Sequence, residues 1–233
     1  MKNEAQGYIL KEYGSWSVLT VSYVIGLGVS GSFNWFTVPV FLALGLLINS
    51  KQAFTKLIGR TGGRISLLLF VGQLCIAAII LFAVFDRDIP RLLPLLIFPV
   101  AYLLMSAVAG EHFILTEVLG FALLSLSAVL AKFLITGGLD ARLFAGVVLY
   151  FIAGIFKIKA VLRKKAPDRI MAIVVVLLAA LAYQGMHLRI IILLPLLDNL
   201  LAAAALYRVK LQTTGWIEVA KSLLFLGLFV SNF

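Results

Sequence analysis

The sequence predicts an all-α, polytopic bundle of membrane-spanning helices in one domain, residues 1–233, and three observations carry that reading. Hydrophobic residues make up 63% of the chain and charged residues 13%, with a mean hydropathy of +1.11. That is more apolar surface than one water-soluble core can bury. The apolar residues fall in helix-length runs separated by short basic or Gly-rich loops, with no strand-like alternation. Because a bilayer offers backbone groups no partners, such runs must close their own hydrogen bonds as helices.

In chain order, residues 1–15 form a polar lead with Lys2, Glu4, Lys11 and Glu12, and they lack the apolar core and cleavage site of a signal peptide. The first span is expected over 16–29 and the second over 35–49, with a Gly/Ser/Asn turn between them. Residues 51–64 then read as a basic loop carrying Lys51, Lys56, Arg60 and Arg64. The third span, 65–85, ends at Asp86-Arg87-Asp88-Ile89-Pro90-Arg91, and the fourth, 92–109, holds Pro94 and Pro99, which kink or break a helix. The fifth, 110–135, opens with Glu111 and His112 and carries Glu117; an acid there is costly in lipid and is expected to face protein or a wet cavity. The sixth, 139–156, runs into the basic stretch of Lys157, Lys159 and Arg163. The last three are 170–183, 190–207 with Pro195, Asp198 and Asn199 inside, and 216–233, for about nine spans in all.

Loop charge gives these spans a direction. Fifteen Lys and Arg fall on the amino-terminal side, whereas Arg87, Arg91, Arg142 and Arg189 fall on the other, with Lys132 near a span end. The asymmetry predicts a cytoplasmic amino terminus and an outward carboxyl terminus. It also accounts for the formal charge of +10 without nucleic acid. Cys75 is the single cysteine, so no disulfide framework or thiol metal cluster is available.

On that topology several polar groups collect at the inner boundary. Glu12 with Trp16, Glu111 and His112 with Glu117, and Glu218 beside Trp216 are the candidate cavity residues, with Asp198 deeper in its span. Lys51, Lys56, Arg60, Lys157, Lys159 and Arg163 are the candidate set for a phosphate or headgroup, since clustered cations at this interface attract anions. His112 at a helix start reads either as a solvated cap residue or as a group that handles a proton near neutral pH. His187 falls on the opposite side, so no metal-ligand set forms, and neither a metal nor another cofactor is expected. No Walker A loop, no GxGxxG opening a helix, no GxSxG and no HExxH occur, and no catalytic residue is assigned.

Lys11-Glu12-Tyr13-Gly14-Ser15-Trp16 resembles the Lys/Arg-Glu-His-Gly-Ala-Trp opening of the YwiC-like family of bacterial integral membrane proteins, with Tyr13 where that family has His. Glu117-Val-Leu-Gly120-Phe-Ala-Leu-Leu-Ser125 and Gly215-Trp216-Ile-Glu218 resemble its later segments. The resemblance implies a multi-pass protein of the bacterial cytoplasmic membrane and carries no established activity. Span order and the basic loops after the second and sixth spans are similar to the UbiA prenyltransferase superfamily, which implies a central cavity for an isoprenoid diphosphate. Its Mg²⁺-binding Asp motifs are missing: Asn49 is followed four residues on by Ala53, and the sixth span ends without Asp. The expectation is a cytoplasm-facing cavity binding an isoprenoid diphosphate, a quinone or a lipid headgroup. A prenyltransferase-like enzyme, a non-catalytic protein assisting a lipid or a complex, and a small organic-anion transporter all fit it.

Overall fold

The computed structural model describes residues 13–59, 63–205 and 211–233, and among them there is no strand. The helices are α1 (Tyr13–Ser30), α2 (Thr37–Ile58), α3 (Arg64–Phe85), α4 (Ile89–Leu92) and α5 (Ile97–Ala109), followed by α6 (Ile114–Thr136), α7 (Ala141–Arg163), α8 (Ala166–Gly185), α9 (Leu197–Ala205) and α10 (Leu211–Asn232). Six helical stretches are long and apolar enough to cross a membrane, and 14–30 and 190–205 are shorter apolar helices. The chain is a multi-pass helical membrane protein.

Four boundaries differ from the expectation, each for a local reason. First, α2 and α7 continue past the apolar runs that start them. Lys51, Lys56, Lys157, Lys159 and Arg163 therefore stand on helices, not in loops. Nothing in those stretches breaks a helix, and long cationic side chains reach outward from one. Second, Arg64–Ala109 is 46 helical residues, about 69 Å if straight against a hydrocarbon core of about 30 Å. It is interrupted by 3-10 turns at Asp86–Asp88 and Leu93–Leu96, and Pro90 in α4 between them and Pro94 in the second turn withhold backbone donors.

Third, Gly110 takes φ 82° and Phe113 is extended, so α6 begins only at Ile114 and Glu111 and His112 lie in the preceding turn. A left-handed residue at a helix end is a position that glycine fills without strain. Fourth, Ile190–Leu196 is a 3-10 segment containing Pro195, and Asp198 falls in the first turn of α9 instead of the middle of one helix.

The core is built where α1, α6, α7, α8 and α10 meet. Ile25, Ala128, Val147, Tyr150, Phe225 and Phe229 belong to its largest buried cluster, and the rings of Tyr150 and Phe225 stack at 3.7 Å. Small residues let the helices approach closely, as expected in lipid. A Cβ on Gly26 would stand 2.1 Å from the Ala128 carbonyl oxygen, so α1 crosses α6 backbone to backbone. Ser127 donates to the Leu19 carbonyl at 3.1 Å across the same crossing, and Tyr183 donates to the Gly146 carbonyl at 2.7 Å between α8 and α7. A second cluster, with Leu19, Tyr23, Val40, Phe85 and Phe133, joins α1 and α6 to α2 and the end of α3.

The two ends of the bundle differ in charge. At one end Lys132 pairs with Asp140 at 2.6 Å, the cations of Lys132 and Arg142 lie over the Phe233 ring, and Arg189 donates to Asn232. The other end carries the basic carboxyl-terminal turns of α2 and α7 and the turn before α6.

Candidate functional site

Helix rotation sorts the basic residues of α7 before any ligand is considered. Two residues advance about 200° round a helix, so Lys157 and Lys159 point to opposite sides. Lys159 faces a cavity of about 1040 Å³ lined by residues of α1 to α7. Lys157 turns away, towards α9 and α10, and is 1% exposed.

The cavity has a polar end and a long apolar body. Ser50 and Lys51 from α2, Glu111 and His112 from the turn, Thr116 and Glu117 from α6, and Lys159 and Arg163 from α7 line the polar end. Leu44, Phe70, Leu81, Phe82, Leu96 and Leu124 line the body, with further aliphatic side chains. The polar groups are paired. Lys51 Nζ stands 3.8 Å from Glu111 Oε2, while the Thr55 hydroxyl donates to Glu111 Oε1. Lys159 Nζ is 2.6 Å from Glu117 Oε2, and Arg163 reaches Asp168 of α8 at 3.9 Å. Thr116 is 1% exposed, and among the described residues its Oγ1 has no hydrogen-bond partner. Its place in the first turn of α6 explains this, since a helical Thr ordinarily bonds a carbonyl one turn back and here that turn is not helical.

A separate ionic cluster lies between α7, α9 and α10. Lys157 donates to Asp198 and, at 2.5 Å, to Glu218 Oε1. Lys221 stands 3.1 Å from Asp198 and 3.2 Å from Glu218 Oε1, and it donates to Asn199 Oδ1 at 2.6 Å. Asn199, fully buried, passes its own amide hydrogen to the Ala153 carbonyl at 3.1 Å. Two cations face two carboxylates with both Lys stems buried, an arrangement in which losing one member strands the others.

The candidate residues thus divide. Lys51, Glu111, His112, Glu117, Lys159 and Arg163 come together around one cavity. Lys157, Asp198 and Glu218 do not; they form the ionic cluster. Trp16 packs over Gly45 and borders a shallow groove with Val219 and Leu223 instead of the cavity, and Lys56 lies on α2 outside the cavity lining. Glu12 and Arg60 lie outside the described residues. The sequence reading missed Thr116, Asp168 and the role of Lys221. Only Lys221 had a signal, its i,i+3 spacing from Glu218. Among the described residues no group of three or more His, Cys, Asp or Glu side chains gathers as for a metal ion.

A family model described as YwiC-like protein matches residues 9–132, more than half of the 233 residues. The match includes Lys51, Glu111, His112, Thr116 and Glu117, and it stops short of Lys159, Arg163 and the ionic cluster. Neither a curated protein nor a solved structure matches the chain.

Proposed function

The chain belongs to the YwiC-like family, and from that premise we propose that it binds a membrane amphiphile, with the polar head at Lys51, Glu111, His112, Glu117, Lys159 and Arg163 and the apolar chain in the body of the cavity. The observation that carries this reading is the shape and lining of that one cavity, about 1040 Å³ with its charged groups confined to one end. Ligand sites are concave and mostly apolar, with a few convergent polar groups that fix orientation, and a volume of this order suits a ligand of drug size or larger. A membrane helix keeps ionisable groups such as Glu117 and Lys159 only where they face protein or a polar space, and here they do both.

The polar end is assigned to the cytoplasmic side of a bacterial cytoplasmic membrane, with the amino terminus inside, because Lys and Arg concentrate in the loops and helix ends there. An isoprenoid diphosphate, a quinone and a lipid all have the required two-part form. The UbiA-like arrangement rests on span order and loop charge, and binding without catalysis is the reading the paired polar end favours.

Mass spectrometry of the lipids and prenyl compounds that copurify with the protein tests this, comparing wild type with Glu117→Ala. A defined amphiphile enriched in wild type and depleted in the variant is expected. Equal, bulk-like lipid in both overturns the reading.

A further inference from the structure

We infer that the head accepted by this cavity is uncharged overall and hydrogen-bonding, such as an alcohol or a quinone carbonyl on a long apolar chain, and that a diphosphate head is disfavoured. The inference rests on the amphiphile reading above and adds the chemical class of the head.

Among the described residues the charge lining the polar end is already balanced. Three cations there each face a carboxylate: Lys51 and Glu111 at 3.8 Å, Lys159 and Glu117 at 2.6 Å, Arg163 and Asp168 at 3.9 Å. Glu111 is held from a second side by the Thr55 hydroxyl. An incoming diphosphate has to take these cations from their partners and then leaves the displaced carboxylates beside its own negative oxygens. In a partly buried site that repulsion is poorly screened.

An uncharged head breaks no ion pair. The Lys ammonium groups have three N–H donors each, so they can serve a carbonyl or hydroxyl oxygen while still facing their carboxylates. The second, independent observation is Thr116. Its hydroxyl lines the cavity, is buried and has no partner among the described residues. A buried hydroxyl of this kind is costly unless something bonds it, and a neutral polar head supplies that bond.

The test uses the full chain in lipid nanodiscs and two probes that differ only in the head, geranylgeraniol and geranylgeranyl diphosphate. Wild type is expected to bind the alcohol more tightly. Glu117→Gln, which frees Lys159, should raise affinity for the diphosphate about tenfold, since hydrogen bonds to charged groups are worth roughly that much. Alcohol binding should not rise with it, so the preference for the alcohol narrows or reverses in this variant. Glu111→Gln gives the same test through Lys51 should the first variant fold poorly, and Thr116→Val should weaken the alcohol. Tighter diphosphate binding by wild type, or its loss in Glu117→Gln, overturns the inference and leaves the amphiphile reading standing. If folded wild type binds neither probe, both fall.

Discussion

Lys157 and Lys159 stand two residues apart on α7 and belong to different environments: the first is locked between Asp198 and Glu218, the second pairs with Glu117 at the polar end of the cavity. The separation predicts different consequences for their loss. Lys157→Met should destabilise the folded protein by about 3 kcal/mol, because it leaves two partly buried carboxylates with Lys221 alone. Thermal unfolding in detergent checks this, with exposed Lys165→Gln expected to sit within about 0.5 kcal/mol of wild type.

Lys159→Met should leave the unfolding temperature closer to wild type and deplete the copurifying amphiphile. The reverse pattern, in which Lys157→Met loses the amphiphile and Lys159→Met unfolds, would mean that the cavity and the ionic cluster have been assigned to the wrong roles.

Among the described glycines, Gly26 is the one where an added Cβ meets the closest neighbour. A methyl group there would meet the Ala128 carbonyl oxygen at 2.1 Å, and backbone has no rotamer with which to yield. Gly26→Ala should cost about 1–3 kcal/mol or more, the usual penalty for overpacking a filled interior. Gly72→Ala is the control, since a Cβ at Gly72 meets nothing within 4 Å, and it should be neutral or mildly stabilising by the same unfolding measurement.

Asp140 gives the acid limb of stability a named contributor outside the spans. Burial alone would raise its carboxyl, but hydrogen bonds from Lys132 and from the Leu143 backbone N–H, with the Lys132 charge, outweigh that and hold it below the ordinary 3.8. A depressed folded value means stabilisation that is complete above the unfolded value and is lost as pH falls through the folded one. Unfolding temperature measured from neutral to acid pH should show wild type ahead of Asp140→Asn above about pH 4, with the gap closing below it. Asn keeps the helix cap, so the gap reports the charge.

Filling the apolar body should empty it. Ala78 on α3 lines the cavity, and Ala78→Trp should sharply lower the amount of copurifying amphiphile while the unfolding temperature stays near wild type. Undiminished occupancy would place the bound molecule elsewhere.

The legible part of this fold was its solvent and its sequence of apolar runs, because hydropathy is a property of each run by itself. Helix ends were less legible. α2 and α7 run on through Lys51 and Lys159, since a cation at the membrane boundary does not stop a helix, while Gly110 and Pro195 do redirect the chain. Lys51, Glu111, Glu117 and Lys159 were readable as a group from charge and from the alternation of loops. Helix rotation was not readable: α6 and α7 carry apolar residues on every side, so nothing in the sequence said that Lys157 would face α10 and Lys159 the cavity. Thr116 was silent for the same reason, since a hydroxyl in an apolar run shows its need only when its surroundings are known.

Along Arg64–Ala109 only 6% of the most apolar window is buried inside the protein, against 50% for Ala141–Arg163, and α3 packs along α2. Yet Phe70, Phe82 and Leu96 of that same stretch line the cavity. One wall of the chamber is thus a single layer of helix whose other face is apolar and exposed, the face such a helix turns to lipid. If the cavity holds the proposed amphiphile, a molecule entering by this wall is supplied from the hydrocarbon phase, and the quantity that sets occupancy is its mole fraction in the leaflet, not its molarity in water. On the proposed reading, titrations against this protein should reach saturation according to the lipid-to-protein ratio, and diluting the buffer should leave the occupied fraction unchanged.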